Sequence, residues 1–256
     1  MFNATRPAVS TAPARDPASV PPVLSVVIPV YNERDNLVPL RDELIPAMEA
    51  TGKLFEIIFV NDGSSDGSGA VLKGLRGADP RLRIITFAAN TGQTAAMDAG
   101  FAAALGDIIV TLDSDLQNDP RDIPLLLARI DDHDAVVGWR GSRQDNWIRR
   151  LSSRIGNGVR NRLSDDDIID TGCTLKAFRR EALARVKLFT GMHRFLPTLL
   201  RMEGFKVCQV RVGHRPRLHG DSKYGIGNRL FRSIADLLAV RWMKRRVLHY
   251  QATEED

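Results

Sequence analysis

Residues 107–117 read DIIVTLDSDLQ. The run Ile108–Leu112 is apolar apart from Thr111 and is flanked by acids. A run that short, with no polar face, reads as a strand buried on both sides rather than as a helix. It gives out at Asp113, and Asp115 follows two residues on. The pattern repeats outward from there. Leu24–Val30, Phe55–Val60 and Leu82–Phe87 read as further buried strands, and Ala135–Val137 as a short fifth. Helical spacing fills the gaps: residues 36–50, interrupted by Pro39 and Pro46; a helix capped by Ser64-Ser65-Asp66 and running to about Arg76; the Ala-rich Thr94–Ala104; and Ile123–Ile130. Repeated strand–helix units with fully apolar strands predict an α/β fold built on a Rossmann-like, doubly wound, mostly parallel sheet. Such sheets bind ligands at the carboxyl ends of their strands. Glu33, Asp62, Asp113 and Asp115 all fall at such ends, so four acids are expected along one edge.

Beyond residue 138 the pattern loosens. Asp145–Leu163 reads as a basic amphipathic helix, Thr171–Phe178 and Phe205–Val212 as strands, and Arg180–Val186 and a stretch near Arg194–Met202 as helices. A Gly-rich loop, Gly220–Gly227, precedes a long helix from about Asn228 to Leu248. Charge divides along the same line. Residues 1–138 carry 11 Lys/Arg against 19 Asp/Glu, a net −8, while the rest carries +13 within an overall +5. A basic half suits nucleic acid, an anionic membrane surface or phosphate-rich ligands, and composition does not choose among them.

Other classes are narrowed by what the sequence lacks. Two cysteines make neither a disulfide framework nor a metal cluster, and read as reduced thiols of a cytosolic protein. There is no apolar run of about 18 residues to span a membrane. Residues 1–22 have no apolar h-region and read as a disordered tail, and residues 251–256 as an acidic tail.

An isolated Asp-x-Asp is ordinarily a turn with helix-capping acids. Here Asp113-Ser114-Asp115 closes one buried strand and Asn61-Asp62-Gly63-Ser64-Ser65-Asp66-Gly67 closes another. Two acidic strand-end turns in one sheet suit a different task. A hard divalent cation takes one or two carboxylates plus phosphate and water oxygens. Bridging a nucleotide diphosphate, it offsets the charge that develops on the leaving oxygen.

Together with Val27-Ile28-Pro29-Val30-Tyr31-Asn32-Glu33 and the continuation Leu116-Gln117, these segments resemble glycosyltransferase family 2. More narrowly, they resemble the polyprenyl-phosphate sugar transferases of the dolichol-phosphate mannose synthase type. The resemblance runs from about Leu24 to about Arg246. It implies a GT-A fold and inverting transfer from a GDP- or UDP-linked sugar, with Mg2+ or Mn2+ as cofactor. On that basis Pro29, Tyr31, Glu33, Asp62 and Asp113 would bind the nucleotide, and Asp113, Asp115 and Gln117 would form the metal and diphosphate site. Asp115 would be catalytic through the metal. Arg217, Ser222 and Lys223, in a Gly-flanked loop, would contact the donor diphosphate. Relatives often carry two acids where this chain has Asn61-Asp62.

The resemblance also implies an acceptor-phosphate site. Arg forks match phosphate oxygens, and Arg140, Arg143, Arg149, Arg150 and Arg154 cluster after the fifth strand. Arg140 matches the first family arginine and Arg150 is the choice for the second, with Arg149 close behind and Ser153 and Arg154 assisting. Asp170 stands where many family-2 enzymes place a catalytic base. It stays open between that role and orienting the acceptor or a nearby Arg, because an alkyl phosphate is already ionised at pH 7. His193, His214 and His219 lack metal-ligand spacing and read as structural.

The expected architecture is therefore a catalytic domain over 23–227, a basic helical acceptor-side region, and a basic amphipathic C-terminal helix over 228–250. That helix suits either the enzyme's own body or a membrane interface. The expected location is the cytoplasm, peripheral on the cytoplasmic face of the membrane, with a separate membrane-protein partner as a companion expectation. The nearest rival is a family-2 enzyme with a saccharide hydroxyl acceptor, which would need Asp170 as a real base. A nucleotidyltransferase would carry glycine after the first strand, where Tyr31-Asn32-Glu33 stands. Nucleic acid is not an expected partner, because an acidic sheet edge repels a polyanion.

Overall fold

Strand β1 (Leu24–Val30) lies between β2 (Phe55–Asn61) and β4 (Ile108–Thr111), and the sheet grows outward from this pair. With β3 (Leu82–Thr86), β5 (Ala135–Arg140), β6 (Lys176–Arg179) and β7 (Val207–Val212), the described residues form a seven-stranded sheet in the order β3-β2-β1-β4-β6-β5-β7. The computed structural model describes residues 22–141, 167–216 and 226–247. The helix expected over 145–163, residues 1–21 and the acidic tail lie outside the described residues. Pairing is parallel except at β6, which runs antiparallel to both β4 and β5. The carboxyl ends of six strands and the start of β6 therefore share one edge.

Alternation along the strands fixes the layers. Leu24, Val26, Ile28 and Val30 pack with Ile57 and Phe59 on one face, under helices α1 (Arg34–Glu49) and α2 (Ser68–Ala78). Val27, Ile58 and Val60 point to the other, under α3 (Gln93–Ala103) and the later helices α5 (Arg180–Arg185) and α6 (Leu196–Met202). Burying each such side chain stabilises by about 1.5–3 kcal/mol, so a sheet apolar on both faces demands helices on both. The short helix α4 (Ile123–Leu127) completes the first layer, and α7 (Ile226–Lys244) joins the second through Leu237 and Val240.

Boundaries differ from the sequence reading where tertiary contacts intervene. Helix α1 continues through Pro39 and Pro46. An interior proline costs roughly 3 kcal/mol, and the complete burial of Leu37, Leu40, Leu44 and Met48 offsets it. Strand β5 extends to Arg140, paired with β7 along its length. Strand β6 starts only at Lys176, because the preceding residues leave the ladder for side-chain bonds: Asp170 to Arg140, and Thr174 to Thr111 and Asn118. A 3-10 turn over Met192–Phe195 precedes α6, and α7 begins at Ile226, so Gly227 is helical.

Candidate active site

The crevice opens where β1 leaves β4. Strand β1 stays paired with β2 through Val30 but with β4 only through Val27. Val30 bonds towards β2 and Val27 towards β4, so alternation places the missing N–H of Pro29 on the β4 side, beyond the last pair. Proline is tolerated there because no ladder bond is lost. The chain then turns through Asn32 at φ 54, a left-handed conformation that asparagine tolerates.

The two turns beside the crevice are zipped together. Asn32 N–H donates to Ser64 Oγ (3.0 Å), Ser65 N–H to Asn32 Oδ1 (2.8 Å), Glu33 N–H to Ser68 Oγ (3.1 Å) and Arg34 N–H to Asp66 Oδ2 (3.0 Å). Asp66 Oδ1 also accepts from the Ser68 amide at the start of α2, but the N-cap itself is Gly67, which makes no side-chain cap bond; Ser64 and Ser65, expected to cap, serve the neighbouring turn instead. Partial burial pushes the Asp66 pKa up, but the Ser68 and Arg34 bonds outweigh this and hold it low. Glu33 Oε2 accepts from Asn36 at 2.5 Å, and Tyr31 is exposed.

Asp62 is buried, and its carboxylate organises a third turn. It accepts from the Thr91 amide (2.6 Å), the Gly92 amide (2.9 Å) and Asn90 Nδ2 (2.8 Å). Gly63, at φ 66, packs so closely that a Cβ there would sit 2.5 Å or less from the backbone of Ala89 and Asn90. This turn launches α3. Its first residue, Gln93, donates from Nε2 to Asp113 Oδ1 at 2.9 Å. Thr94, the second, accepts from the Gly191 amide and shares a 2.7 Å hydrogen bond with His193 Nδ1. Burial, with the charges of Arg194 and Lys176, holds His193 near 3, so its imidazole is neutral. That is the satisfied core histidine the sequence suggested.

At the end of β4, burial and then the charge of Asp115 push the Asp113 pKa up, while a hydrogen bond from Thr174 and the charges of Lys176 and Arg140 pull it down. Asp115 is buried and its Oδ1 accepts from the Gln117 amide at 3.1 Å. Leu116, between Asp115 and Gln117, is buried at φ 61, which costs a branched residue about 1–2 kcal/mol. Among the described residues no three acidic, His or Cys side chains gather as a metal cage. Two mutually repelling carboxylates fit a hard cation that completes its shell with phosphate and water.

The other half of the edge is built by β5 and β6. Arg140, the last residue of β5, forms a forked ion pair with Asp170: Nε to Oδ2 at 2.6 Å and Nη2 to Oδ1 at 2.9 Å. Asp170 Oδ1 also accepts from the Gly172 amide. Both carboxylate oxygens are engaged, and both side chains are largely buried. Burial alone would lower the Arg140 pKa; Asp170 overcomes it and raises it. This geometry suits a carboxylate that orients a guanidinium. Lys176, opposite Thr111 on β6, is 2% exposed; burial lowers its pKa against the opposing pull of Cys173, Asp170 and Asp113. Burial also pushes the Cys173 thiol up to about 11.

One edge thus gathers Pro29, Tyr31, Glu33, Asp62, Asp113, Asp115, Gln117, Arg140 and Asp170. Arg143, Arg149, Arg150, Ser153, Arg154, Arg217, Ser222, Lys223 and His219 lie outside the described residues. Gln93, Thr174 and Lys176 join the site unannounced by the sequence reading. Lys176 left a readable signal, a lysine between the apolar Leu175 and Ala177-Phe178. Gln93 left only its place at a helix start after glycine.

A doubly wound sheet with an acidic turn at its switch point defines a GT-A-like sugar-transferase fold. Residues 25–187 match the model of glycosyl transferase family 2, and the chain belongs to that family. It is 39% identical over 228 residues to the dodecaprenyl-phosphate galacturonate synthase of Rhizobium johnstonii, covering 87% of this chain and 67% of that one. It is 40% identical over 205 residues to the undecaprenyl-phosphate 4-deoxy-4-formamido-L-arabinose transferase of Edwardsiella ictaluri, covering 79% and 63%. The chain spans about two thirds of the length of these relatives. Among solved structures it is similar in fold to the glucosyl-3-phosphoglycerate synthase of Mycobacterium tuberculosis, crystallised with Mn2+, uridine diphosphate and phosphoglyceric acid. There the TM-score is 0.64 at 19% identity, over 89% of this chain and 80% of that one.

Proposed function

We propose that this chain transfers a sugar from a nucleotide-sugar, GDP- or UDP-linked, to a polyprenyl phosphate. The observation that carries the reading is the pairing of the Asp113–Asp115 turn with Arg140 on one edge, in a chain similar to two polyprenyl-phosphate sugar enzymes. An acceptor phosphate oxygen attacks the anomeric carbon with inversion. The bond from that carbon to the donor phosphate breaks, and its electrons leave with the nucleoside diphosphate. No base is needed, since the second ionisation of such a phosphate lies near about pH 6. Asp170, engaged by Arg140, then acts as a positioning residue for the guanidinium that meets the acceptor phosphate. A saccharide hydroxyl acceptor would need a general base, which this ion pair disfavours.

Pro29, Tyr31, Glu33 and Asp62 are assigned to the nucleoside, and Arg217, Ser222 and Lys223 to the donor diphosphate. Arg150 and Ser153 are assigned to the acceptor phosphate with Arg140. Asp113, Asp115 and Gln117 are assigned to Mg2+ or Mn2+, which when bound offsets diphosphate charge as a Lewis acid. The catalytic unit is 23–227, with the C-terminal helix docked on it. Among the described residues no helix is long and apolar enough to cross a membrane. Helix α7 buries Leu237 and Val240 but exposes Leu238 and Trp242, beside Arg241, Lys244, Arg245 and Arg246. That face suits peripheral contact with an anionic membrane. The test of the main reading is a donor screen: purified protein with Mg2+ or Mn2+, a short polyprenyl phosphate and a panel of nucleotide-sugars. Lipid-linked sugar is the expected product. Transfer onto a saccharide, with none onto the lipid phosphate, would overturn it. Failure to sediment with anionic vesicles at low salt would overturn the membrane contact.

A further inference from the structure

Arg215 lies just past β7, outside every residue assigned to the site, yet it touches the turn after β4. Its amide donates to the Gln117 carbonyl at 2.9 Å. Its guanidinium forks, Nη2 to Asp119 Oδ2 at 2.5 Å and Nη1 to Glu43 Oε2 at 2.6 Å. The same segment is pinned once more, by the Gly213 amide on Asp122 Oδ2 at 2.7 Å. Three elements distant in sequence, α1, the turn after β4 and the strand β7, therefore meet on one side chain. Arg121 also reaches Asp119, Nη2 to Oδ2 at 2.7 Å.

The turn it touches needs outside support. Leu116 is held at φ 61, a conformation a leucine does not keep unless its surroundings over-determine it. The Asp115–Gln117 bond and the Asn118–Thr174 bond fix the turn at two points. Arg215 holds it at two further points, its amide on the carbonyl of Gln117 and its guanidinium on Asp119. We propose that Arg215 is a positioning residue for the donor site, clamping Asp115–Asp119 in the conformation that presents Asp115 and Gln117 to a cation and a nucleotide diphosphate. The proposal rests on the donor-site reading above.

The test measures Mn2+ binding by electron paramagnetic resonance, with UDP and with GDP, alongside thermal melting. Losing a residue that orients metal ligands from outside typically costs about 10- to 100-fold in metal affinity. R215M is expected to weaken Mn2+–nucleotide binding by that much, and R215K, which keeps charge but cannot fork, by about a third of that on a logarithmic scale. R121M removes the other arginine on Asp119 but leaves the Arg215 fork to Asp119 and Glu43 intact, and should bind as the parent does. A folded R215M that binds Mn2+–nucleotide like the parent overturns the clamp. Should R215M fail to fold, E43A decides: removing one arm of the fork weakens binding if the clamp is real, and unchanged binding overturns it. A parent chain that takes up no Mn2+ with either nucleotide overturns the donor-site reading, and the clamp with it.

Discussion

The two halves of the ligand edge are built in different ways. On the β1–β2–β4 side each acid sits where its own strand ends, and neighbouring turns hold one another through short side chains such as Asn32, Ser64 and Asp66. On the β5–β6 side the central feature is one ion pair between residues 30 apart, brought together because β6 runs against its neighbours. The first half is redundant: many modest hydrogen bonds share the load. The second hangs on a single buried pair, where loss of one partner strands the other. Perturbations should therefore be local and functional on the first side, and structural as well as functional on the second.

The largest effect is expected from Asp115→Ala. Transfer should be abolished while circular dichroism and melting stay near the parent, and substantial metal-dependent turnover in the mutant would break the assignment. Arg140→Met should do more to the fold. It leaves Asp170 buried without its countercharge, a loss of about 3–5 kcal/mol by chemical denaturation; a fully stable mutant would show the two halves are not different in kind. Asp170→Asn is a finer probe. The amide still meets Arg140, so the acceptor KM should rise by about tenfold while kcat at pH 7–8 stays close to the parent; a collapse of kcat would restore the base role. Gln93→Leu should weaken Mn2+–nucleotide binding by about tenfold through loss of its bond to Asp113, with little change in stability.

The smallest effect concerns pH. His193 is held near 3 in the folded chain, below the ordinary 6.5 of histidine. Between those values the unfolded chain binds more protons, so stability rises with pH and its full contribution is present above about 6.5. It is lost as pH falls from there towards 3. His193→Gln keeps a partner for Thr94 and removes the titration, so its urea midpoint should vary less between pH 4.5 and 7 than the parent's.

How much of this could be read in advance follows the same division. The carboxylates of the first half were legible because a buried parallel strand is a local signal and its end is where ligands bind. Asp62 and Asp113 were noticed together, as two acidic turns that each close a buried strand. The bond of Gln93 to Asp113 was not legible, because it depends on how α3 is launched by a turn that Asp62 gathers from another strand. Asp170 was visible as a residue but not as a role, since its role is set by Arg140. Arg215 was invisible, because nothing in its own neighbourhood of sequence points to Gln117 or Glu43.

The sequence by itself determined the apolar strands, the acids that close them and the basic character of the later half, because each is a short-range pattern of side chains along the chain. Only the tertiary structure decided that β6 enters antiparallel between β4 and β5. That single reversal carries Asp170, Thr174 and Lys176 to the edge where Asp113 waits. Strand order and direction are settled by which faces bury together, a property of the assembled sheet that no local window of sequence contains.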